Sequence, residues 1–275
     1  MSNQQERVFV IFGATGGVGS ALARRLSADS RNRLLLAGRN LARLDEMSKE
    51  LNASSMEADA TSLADAEATL QKAIELFGRL DGVANCVGSL LLKPLHLTSE
   101  AEWQSTVNIN LGSAFAVTRA AVKTLMSSTS SGTTGTTGTT GTSATSATSG
   151  TSATSGGSIA LVSSAAAQIG LANHEAIAAA KGAIEGLVLS AAATYAPKGI
   201  RINAVAPGLV RTPMTSRITS NEMSLKASVA MHALGRIGEP EDVASGLAWL
   251  LDPAQQWVTG QVIGIDGGLG SLRSR

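Results

Sequence analysis

Cysteine, tyrosine and histidine are scarce in this chain of 275 residues, which holds one cysteine, one tyrosine and three histidines. The single cysteine, Cys86, can form no disulfide within the chain and no cysteine-based metal cage. With so few histidines as well, we expect no metal site. Chemistry that depends on a tyrosine hydroxyl would have to use Tyr195, because the chain has no other tyrosine.

An excess of charge of one sign and long apolar runs are also lacking. Basic residues number 22 and acidic residues 21, for a net charge of +1, so the charge pattern predicts binding neither to nucleic acid nor to an anionic membrane. The opening residues, "MSNQQER", lack the layout of a secretory signal, and no stretch has the ~20 uninterrupted apolar residues of a membrane span. We therefore expect a cytoplasmic protein with neither nucleic acid nor membrane as partner.

Short apolar runs alternate regularly with longer amphipathic segments. The run "RVFVIFG" from Arg7 ends in glycine and is followed by "SALARRLSA", which has helical spacing. The pattern returns around "RLLLAG", "GVANCVG", "GSIALVSS" and "IRINAVAPG", and "GQVIGIDGG" supplies a last strand. Continuous apolar strands that alternate with helices predict a single doubly wound α/β domain over residues 1–275, with a parallel, Rossmann-type sheet.

One segment, residues 127–157, departs from this pattern because it contains only Ser, Thr, Gly and Ala. Such a composition has nothing to bury and predicts an inserted, flexible loop. The loop joins a predicted helix to the next strand, so it should leave the sheet at the amino ends of the strands. Ligands of open α/β sheets bind at the opposite edge, and we expect the insertion to be remote from the chemistry.

The glycine-rich stretch "GATGGVG", Gly13 to Gly19, lies between the first predicted strand and the first predicted helix. Backbone N–H groups and a helix N-terminus at such a junction can receive a pyrophosphate. Gly13 would permit the tight turn, Gly17 the approach of phosphates to the backbone, and Gly19 the close packing of helix on strand. A glycine cluster can also be a plain turn, but at this junction we favour a dinucleotide site.

The GxxxGxG spacing of this stretch resembles that of the classical short-chain dehydrogenase/reductase family. Further matches follow in the family's order and spacing everywhere except in the insertion: "MEADAT", "NCVG", "WQSTVNIN", "NAVAPGLVRT", "GEPEDVA" and "VTGQVIGIDGG". The resemblance implies a sheet of about seven strands and a nicotinamide dinucleotide as cofactor. It implies cofactor contacts from Gly13, Thr15, Gly17, Val18, Gly19, Arg39, Asp59, Asn85, Gly88, Lys181, Pro207, Gly208, Val210 and Thr212.

The end of the second predicted strand, "LLLAGRN", bears on the choice between NAD and NADP. An acid at this place accepts hydrogen bonds from the ribose 2′-hydroxyl of NAD, whereas a base pairs with the 2′-phosphate of NADP. No acid is present, and Arg39 follows Gly38. By resemblance this favours NADP, although position 16, where many NADP-dependent members carry a second base, is glycine. Arg39 could instead cap a helix or pair with a surface acid.

Catalysis in the family uses a Ser, a Tyr and a Lys, with an Asn that supports a water chain. Counted without gaps, Ser164 stands seventeen residues before Lys181, which is the family's separation, and Asn110 is also present. The tyrosine would lie four residues before the lysine, where this chain has Ile177. Isoleucine cannot donate a proton. Tyr195 lies at the far end of the same predicted helix, where we expect it to pack rather than to react.

His174 is the candidate replacement for the missing proton donor. It precedes Ile177 by three residues, so the two side chains share a face if the helix has begun there, and an imidazole can act as an acid near neutral pH. The alternative is that Asn173 caps the helix and leaves His174 exposed at the first helical position. Two further alternatives need no histidine: Ser164 could donate directly, recharged through Lys181 and water, or the reaction could need no strong acid.

Two functions fit these residues. The first is an NADP(H)-dependent oxidoreductase that transfers hydride between nicotinamide and a carbonyl or alcohol substrate, slowly or with a proton donor other than tyrosine. The second is a catalytically inactive, cofactor-binding protein with a regulatory or scaffolding role. The resemblance also implies a homodimer or homotetramer through the helices that carry Asn110 and Lys181, and a lid after Thr212 whose Met and Leu residues favour a moderately apolar substrate.

Deletion of the Ser/Thr/Gly/Ala segment should leave the affinity for the nicotinamide cofactor unchanged, because the segment is predicted to lie at the edge of the sheet that ligands do not use. Titration of the shortened and full-length chains with NADPH, followed by fluorescence, measures this directly. A large loss of affinity in the shortened chain would contradict the remote placement.

Overall fold

The structure, a computed structural model, describes residues 6–130 and 156–272. Its strands are β1 (Arg7–Phe12), β2 (Asn32–Gly38), β3 (Ser54–Glu57), β4 (Gly82–Asn85), β5 (Ser158–Val162), β6 (Arg201–Pro207) and β7 (Val262–Ile265). All seven are parallel and form one sheet in the order β3-β2-β1-β4-β5-β6-β7. The prediction of a doubly wound, Rossmann-type sheet of about seven strands is confirmed.

Strand β1 lies inside the sheet, between β2 and β4, and its apolar run is buried from Val8 to Phe12. A strand that is covered on both faces needs such a continuous run. Phe12 lies opposite Ala37 of β2 and Asn85 of β4, so these three strands end at the same level. The strand order reverses between β1 and β4, and the crevice above their carboxyl ends is where ligands of such sheets bind.

Helices cover both faces of the sheet and bury their apolar stripes against it. On one face, Leu22, Leu44 and Leu247 share a core with β1 and β2; on the other, Leu70, Val117 and Ile184 pack with β1, β4 and β5. The helices are α1 (Gly17–Ser27), α2 (Leu41–Leu51), α3 (Leu63–Phe77), α4 (Glu100–Val107), α5 (Ser113–Ser130), α6 (Glu175–Tyr195), α7 (Ser216–Thr219), α8 (Glu222–Met231) and α9 (Pro240–Leu251).

A π-helical turn, Asn108–Gly112, joins α4 to α5 and holds one of the predicted catalytic residues. Asn110 lies in this turn and is fully buried, and its backbone carbonyl accepts a hydrogen bond from the Ser113 hydroxyl at 3.2 Å. Turns of this kind interrupt the regular helix ladder and occur often at functional sites.

Helix α6 and the residues after it, Glu175–Lys198, are long and apolar enough to cross a membrane by length and composition, with a mean hydropathy of 1.5. Lys181 and Glu185 interrupt its apolar residues, so the chain still has no uninterrupted apolar run of ~20 residues. The apolar character has a local cause, since Ile184, Val188 and Ala192 of α6 lie in the core against the sheet. Tyr195, the last residue of α6, packs against the same core, as predicted.

The predicted insertion, residues 127–157, lies largely outside the described residues. Its first four residues belong to α5, which continues to Ser130. On the other side, the backbone N–H of Ser158 donates to the Asp81 carbonyl at 3.0 Å, and β5 starts there, next to the start of β4. The chain therefore resumes at the amino ends of the strands.

Candidate functional site

The glycine loop lies at the carboxyl end of β1 and turns directly into α1. Gly13 has a positive φ of 73°, and a Cβ on Gly19 would lie 2.2 Å from the Gly13 carbonyl oxygen, so neither position accepts a side chain. The first turn of α1 has no side-chain cap and no acidic residue. Its backbone N–H groups are thus available to an anion at the positive end of the helix dipole.

Across the crevice, the segment from Pro207 to Thr212 approaches the glycine loop. A Cβ on Gly17 would come within 2.7 Å of the Thr212 methyl group, which shows how close the two segments are. Pro207 is the last residue of β6, and Val210 is buried and forms an isolated bridge with Gly238. The predicted residues of these two segments therefore lie on opposite sides of one cleft.

The carboxyl end of β2 carries the predicted nucleotide-selecting residues. Arg39 is exposed and forms no salt bridge within the described residues. The Thr15 hydroxyl is also close to this strand end, since a Cβ on Gly38 would lie 3.5 Å from the Thr15 Oγ1. Asp59 accepts hydrogen bonds from the backbone N–H and the hydroxyl of Thr61, at 2.9 and 2.8 Å. These bonds, together with the positive charge of Arg39, lower the pKa of Asp59.

Arg43 is a second arginine at this end of the sheet, and the sequence analysis did not single it out. It lies in the first turn of α2, where its backbone N–H is bound by the Asn40 side chain. Its guanidinium is exposed and forms no salt bridge in the described part of the chain. The sequence could have indicated Arg43 as a second basic residue at this site, because it follows Arg39 by four residues.

Lys181 of α6 is buried at the carboxyl ends of β4 and β5. Its ammonium donates a hydrogen bond to the Val162 carbonyl at 2.7 Å. A Cβ on Gly88 would lie 3.5 Å from the Lys181 Nζ and 3.1 Å from the Asn110 Oδ1, so these three residues meet at one point. Burial lowers the pKa of Lys181 to about 8, and the nearby Cys86 thiol opposes the shift only weakly.

Asn85 and Cys86 shape the floor of the cleft from below. Asn85 is buried, donates to the Ser113 hydroxyl at 3.0 Å and accepts the Val87 N–H at 3.1 Å, so it ties β4 to α5. A Cβ on Gly13 would lie 3.0 Å from the carbonyl carbon of Cys86, which brings the glycine loop against this turn. Burial raises the pKa of the Cys86 thiol to about 12, so the thiol stays protonated and unreactive.

Two serines follow β5, and they differ in what they bind. The Ser163 hydroxyl donates to Glu185 at 2.8 Å and has a structural role on α6. The Ser164 oxygen accepts the backbone N–H of Ala166 at 3.2 Å, and its own hydrogen has no acceptor within the described residues. Ser164 is therefore the serine that is free to donate toward the cleft.

His174 lies at the start of α6, but not as the sequence analysis expected. The N-cap of α6 is His174 itself, not Asn173, and the helix begins at Glu175. Asn173 has a positive φ of 63°, a conformation that asparagine tolerates but that does not serve as an N-cap. The His174 Nδ1 lies 2.7 Å from the Ala172 carbonyl oxygen, and its Nε2 has no partner within the described residues.

Ile177 lies one helical turn before Lys181 and is only 3% exposed. Its side chain is apolar and provides no hydrogen bond at this point of the cleft. The polar neighbour of Asn110 is instead Ser89, which the sequence analysis missed. The Asn110 amide donates to the Ser89 hydroxyl at 3.0 Å and accepts the Ser89 N–H at 3.2 Å.

The cleft as a whole fits a dinucleotide. It has a glycine turn without room for side chains, a helix N-terminus with free N–H groups, and a buried ammonium at the other end of the crevice. Among residues 6–130 and 156–272, no cluster of three His, Cys, Asp or Glu side chains is arranged to hold a metal ion. What the arrangement offers is binding of an anionic cofactor and a proton source beside it.

Comparison with known proteins places this cleft in a large group of relatives. The chain is 31% identical over 269 residues to cis-4-hydroxycyclohexanecarboxylate dehydrogenase of Sinomonas cyclohexanicum, with 96% of both chains covered. It is 29% identical to 3-oxoacyl-[acyl-carrier-protein] reductase of Thermotoga maritima, with 96% of this chain and 97% of the relative covered.

Among solved structures, actinorhodin polyketide ketoreductase with NADPH is similar to the chain with a TM-score of 0.83 and 25% identity, over 99% of this chain and 100% of the other. A short-chain type dehydrogenase/reductase from Mycobacterium ulcerans has a TM-score of 0.84 and 26% identity, over 98% and 92% of the two chains.

Two family profiles cover most of the sequence. The profile described as short chain dehydrogenase matches residues 7–140, and the profile described as enoyl-(acyl carrier protein) reductase matches residues 133–270. The two matches meet inside the Ser/Thr/Gly/Ala segment. Together with the relatives over 30% identical along nearly the whole length, they show that this chain belongs to the short-chain dehydrogenase/reductase family.

Proposed function

We propose that this protein is an NADP(H)-dependent oxidoreductase that transfers hydride between nicotinamide and a carbonyl or alcohol substrate. We further propose that Ile177 stands where classical members of the family have their catalytic tyrosine, so that the proton must come from another group. The relatives named above are dehydrogenases and reductases, which supports the class of reaction. The substrate is a small molecule.

The observation that carries this proposal is the meeting of Lys181, Asn110 and Gly88 at the carboxyl edge of the sheet. The turn that contains Gly88 adjoins the glycine loop, since a Cβ on Gly13 would touch Val87 at 3.0 Å. An ammonium beside the turn that contains Gly88 suits the ribose next to the nicotinamide. A buried lysine without a ligand would be costly to maintain, which favours a functional role for it.

Ser164 is the best-placed hydroxyl to take over part of the missing tyrosine's role. A bound NADPH would supply the hydride, and the carbonyl oxygen of the substrate would then need a proton. The hydrogen of Ser164 is not used within the described chain, and Lys181 lies on the neighbouring helix as a reservoir. Because burial brings the pKa of Lys181 to about 8, its ammonium gives up a proton more readily than an exposed lysine does.

His174 remains the second candidate for the proton donor. Its N-cap position fixes the backbone, and its Nε2 has no partner within residues 6–130 and 156–272. The Lys93 N–H donates to the Asn173 carbonyl at 2.9 Å, so the loop after β4 lies against this end of α6. An imidazole here would act at the mouth of the cleft, while Ser164 would act inside it.

The preference for NADP rests on Arg39, with Thr15 and Arg43 nearby. Arg39 is exposed at the end of β2, forms no salt bridge within the described residues and has only a longer-range attraction to Asp59, so it is available to pair with a 2′-phosphate. Both hydrogen bonds from Thr61 go to the Oδ1 of Asp59. The Oδ2 has no hydrogen bond within the described residues, so it can accept one from the adenine amino group. Actinorhodin polyketide ketoreductase was solved with NADPH, in line with this preference.

The alternative function, a cofactor-binding protein without turnover, is favoured by one observation. Ile177 is buried and apolar, so the place next to Lys181 lacks a proton donor of its own. Such a protein would keep the glycine loop and Lys181 for binding alone. Retention of Ser164 and Asn110, which binding alone does not need, supports the enzyme instead.

Assembly and substrate class complete the proposal. We expect a cytoplasmic homodimer or homotetramer in which α5 and α6 meet their copies, and Phe115 and Leu189 on these helices are exposed. The segment after Thr212 forms α7 and α8 and carries exposed Met214 and Met223. A lid with these side chains suits a moderately apolar carbonyl compound.

Arg39→Asp should weaken NADP binding at least tenfold and leave NAD binding nearly unchanged, because it removes a charge-assisted contact that only the 2′-phosphate makes. Titration calorimetry with NADP and NAD measures both affinities. Arg25→Asp, on the exposed face of α1, changes the net charge equally and is the matched control. Equal losses for both cofactors in Arg39→Asp would show that Arg39 does not select NADP.

Reduction of a panel of carbonyl compounds with NADPH should be slow in the wild type and faster in Ile177→Tyr, because a positioned acid contributes ~10²–10⁴-fold to such a step. His174→Ala distinguishes the two candidate proton donors. The substitution should abolish turnover if His174 donates the proton, and it should leave turnover unchanged if Ser164 donates the proton. His96→Ala, which alters an exposed histidine elsewhere, is the control. Turnover in Ile177→Tyr alone would mean that the native chain is the non-catalytic binding protein.

The contribution of Lys181 to the free energy of unfolding of the cofactor-free protein, taken as the difference between the wild type and Lys181→Met, should rise between pH 8 and 10.5. The folded-state pKa of Lys181 is about 8 and the ordinary value is 10.5, so in this window the unfolded chain binds more protons and stability increases with pH. Urea unfolding of the wild type, Lys181→Met and the exposed control Lys198→Met measures this contribution. If the free energy of unfolding changed with pH in the same way in the wild type and in Lys181→Met, the lowered pKa of Lys181 would be contradicted.

A further inference from the structure

His232 is a buried histidine that the proposed reaction has not used. It follows α8 directly and is 3% exposed. Neither the motifs of the sequence nor the predicted site residues include it. Its surroundings join three segments that lie around the cleft: the end of α8, the segment from Pro207 to Thr212, and the loop after β7.

Both ring nitrogens of His232 have a partner, and the partners fix the protonation state. The Leu209 backbone N–H can only donate, so the Nε2, at 3.2 Å, is the acceptor. The Ser228 backbone carbonyl can only accept, so the Nδ1, at 2.6 Å, carries the hydrogen. These two bonds fit the tautomer that has its hydrogen on the Nδ1.

The imidazole also fills the space between the three segments. A Cβ on Gly208 would lie 2.6 Å from the His232 Nε2, and a Cβ on Gly267 would lie 3.5 Å from its Cδ2. The Leu234 N–H donates to the Gly267 carbonyl at 3.0 Å, which holds the loop after β7 against the same place. The Leu209 amide is thus shielded on several sides, and the imidazole is its hydrogen-bond acceptor.

The charged groups that line the space next to His232, among the residues that the structure describes, are already paired or hydrogen-bonded. A cavity of about 340 Å³ next to the ring is lined by Arg236, Asp242 and Asp266 among others. Arg236 pairs with Asp242 at 2.6 Å. The Asp266 carboxylate accepts the N–H groups of Gly268 and Gly270 at 2.9 and 2.7 Å. Loss of the imidazole would therefore leave the Leu209 N–H without its side-chain acceptor, and none of these charged groups could take over that role.

We propose that His232 is a positioning residue: its hydrogen bond to the Leu209 amide fixes the segment from Pro207 to Thr212 and couples it to the base of α8. The inference rests on the proposed function to the extent that this segment holds the nicotinamide end of the cofactor. One imidazole then determines both the conformation of the segment from Pro207 to Thr212 and the position of α8.

The chain offers substitutions that separate the two hydrogen bonds of the ring. In His232→Gln the amide oxygen is as many bonds from the Cβ as the Nε2 is, so it can still accept the Leu209 N–H. In His232→Asn the amide nitrogen replaces the Nδ1 and can donate only to Ser228. His232→Leu removes both hydrogen bonds and replaces the ring with an apolar side chain of similar size.

NADPH affinity, measured by fluorescence titration, should fall about tenfold or more in His232→Asn and His232→Leu. Without the acceptor, the cofactor-free segment from Pro207 to Thr212 favours conformations in which the Leu209 N–H is hydrogen-bonded to water, and NADPH must then reverse this change. The affinity of His232→Gln should stay within about threefold of the wild type, since the acceptor is kept. Equal affinities in all four proteins would overturn the proposal. Equal losses in His232→Gln, His232→Asn and His232→Leu would also overturn it, because the loss of the ring and not of the acceptor would then matter.

Hydrogen exchange of the cofactor-free protein gives a second readout that needs no activity. The Leu209 amide should be protected in the wild type and in His232→Gln, and should exchange faster in the other two variants. If those variants fail to fold, the wild type alone decides, since a Leu209 amide that exchanges like an exposed one overturns the proposal. Failure of the proposed function would appear differently, as a wild type that binds neither NADPH nor NADH while its Leu209 amide is protected.

Discussion

The burial of one ammonium group, that of Lys181, is the constraint on which the cleft depends. A charged group inside a protein needs a partner, and the Val162 carbonyl at the end of β5 supplies it at 2.7 Å. This contact sets α6 against the sheet, and it brings the lysine to Gly88 and to the π-helical turn that contains Asn110. The sheet supports the arrangement because its parallel strands end together at one edge.

The apolar residue beside this ammonium changes what the site can do. Ile177 is buried and offers no proton donor one helical turn before Lys181, and the Ser164 hydroxyl and the His174 imidazole lie on different segments. A burial-lowered pKa makes Lys181 a better acid than an exposed lysine. Under the proposed function, this property offsets part of the loss of the family's tyrosine, and the cleft keeps the groups that bind the cofactor while its proton supply is weaker.

The sequence predicted the elements whose signal is local and strong. The apolar runs of β1, β2 and β6 and the glycine loop were found because a doubly covered strand must be apolar throughout and a tight turn needs glycine. Strand β3 was not found in the sequence, since only Met56 of its four residues is apolar. The N-cap of α6, Ser89 and His232 were missed because their roles depend on contacts with distant segments.

The direct test of hydride transfer uses NADPH that carries deuterium at both positions of the nicotinamide C4, so that either face delivers the label. The account predicts that the wild-type protein, incubated with a panel of apolar ketones and aldehydes, forms alcohols that carry one deuterium on the carbinol carbon. Mass spectrometry detects such a product even when turnover is slow. Absence of label in every alcohol, from a protein that binds the labelled NADPH, would contradict the claim that this cleft transfers hydride.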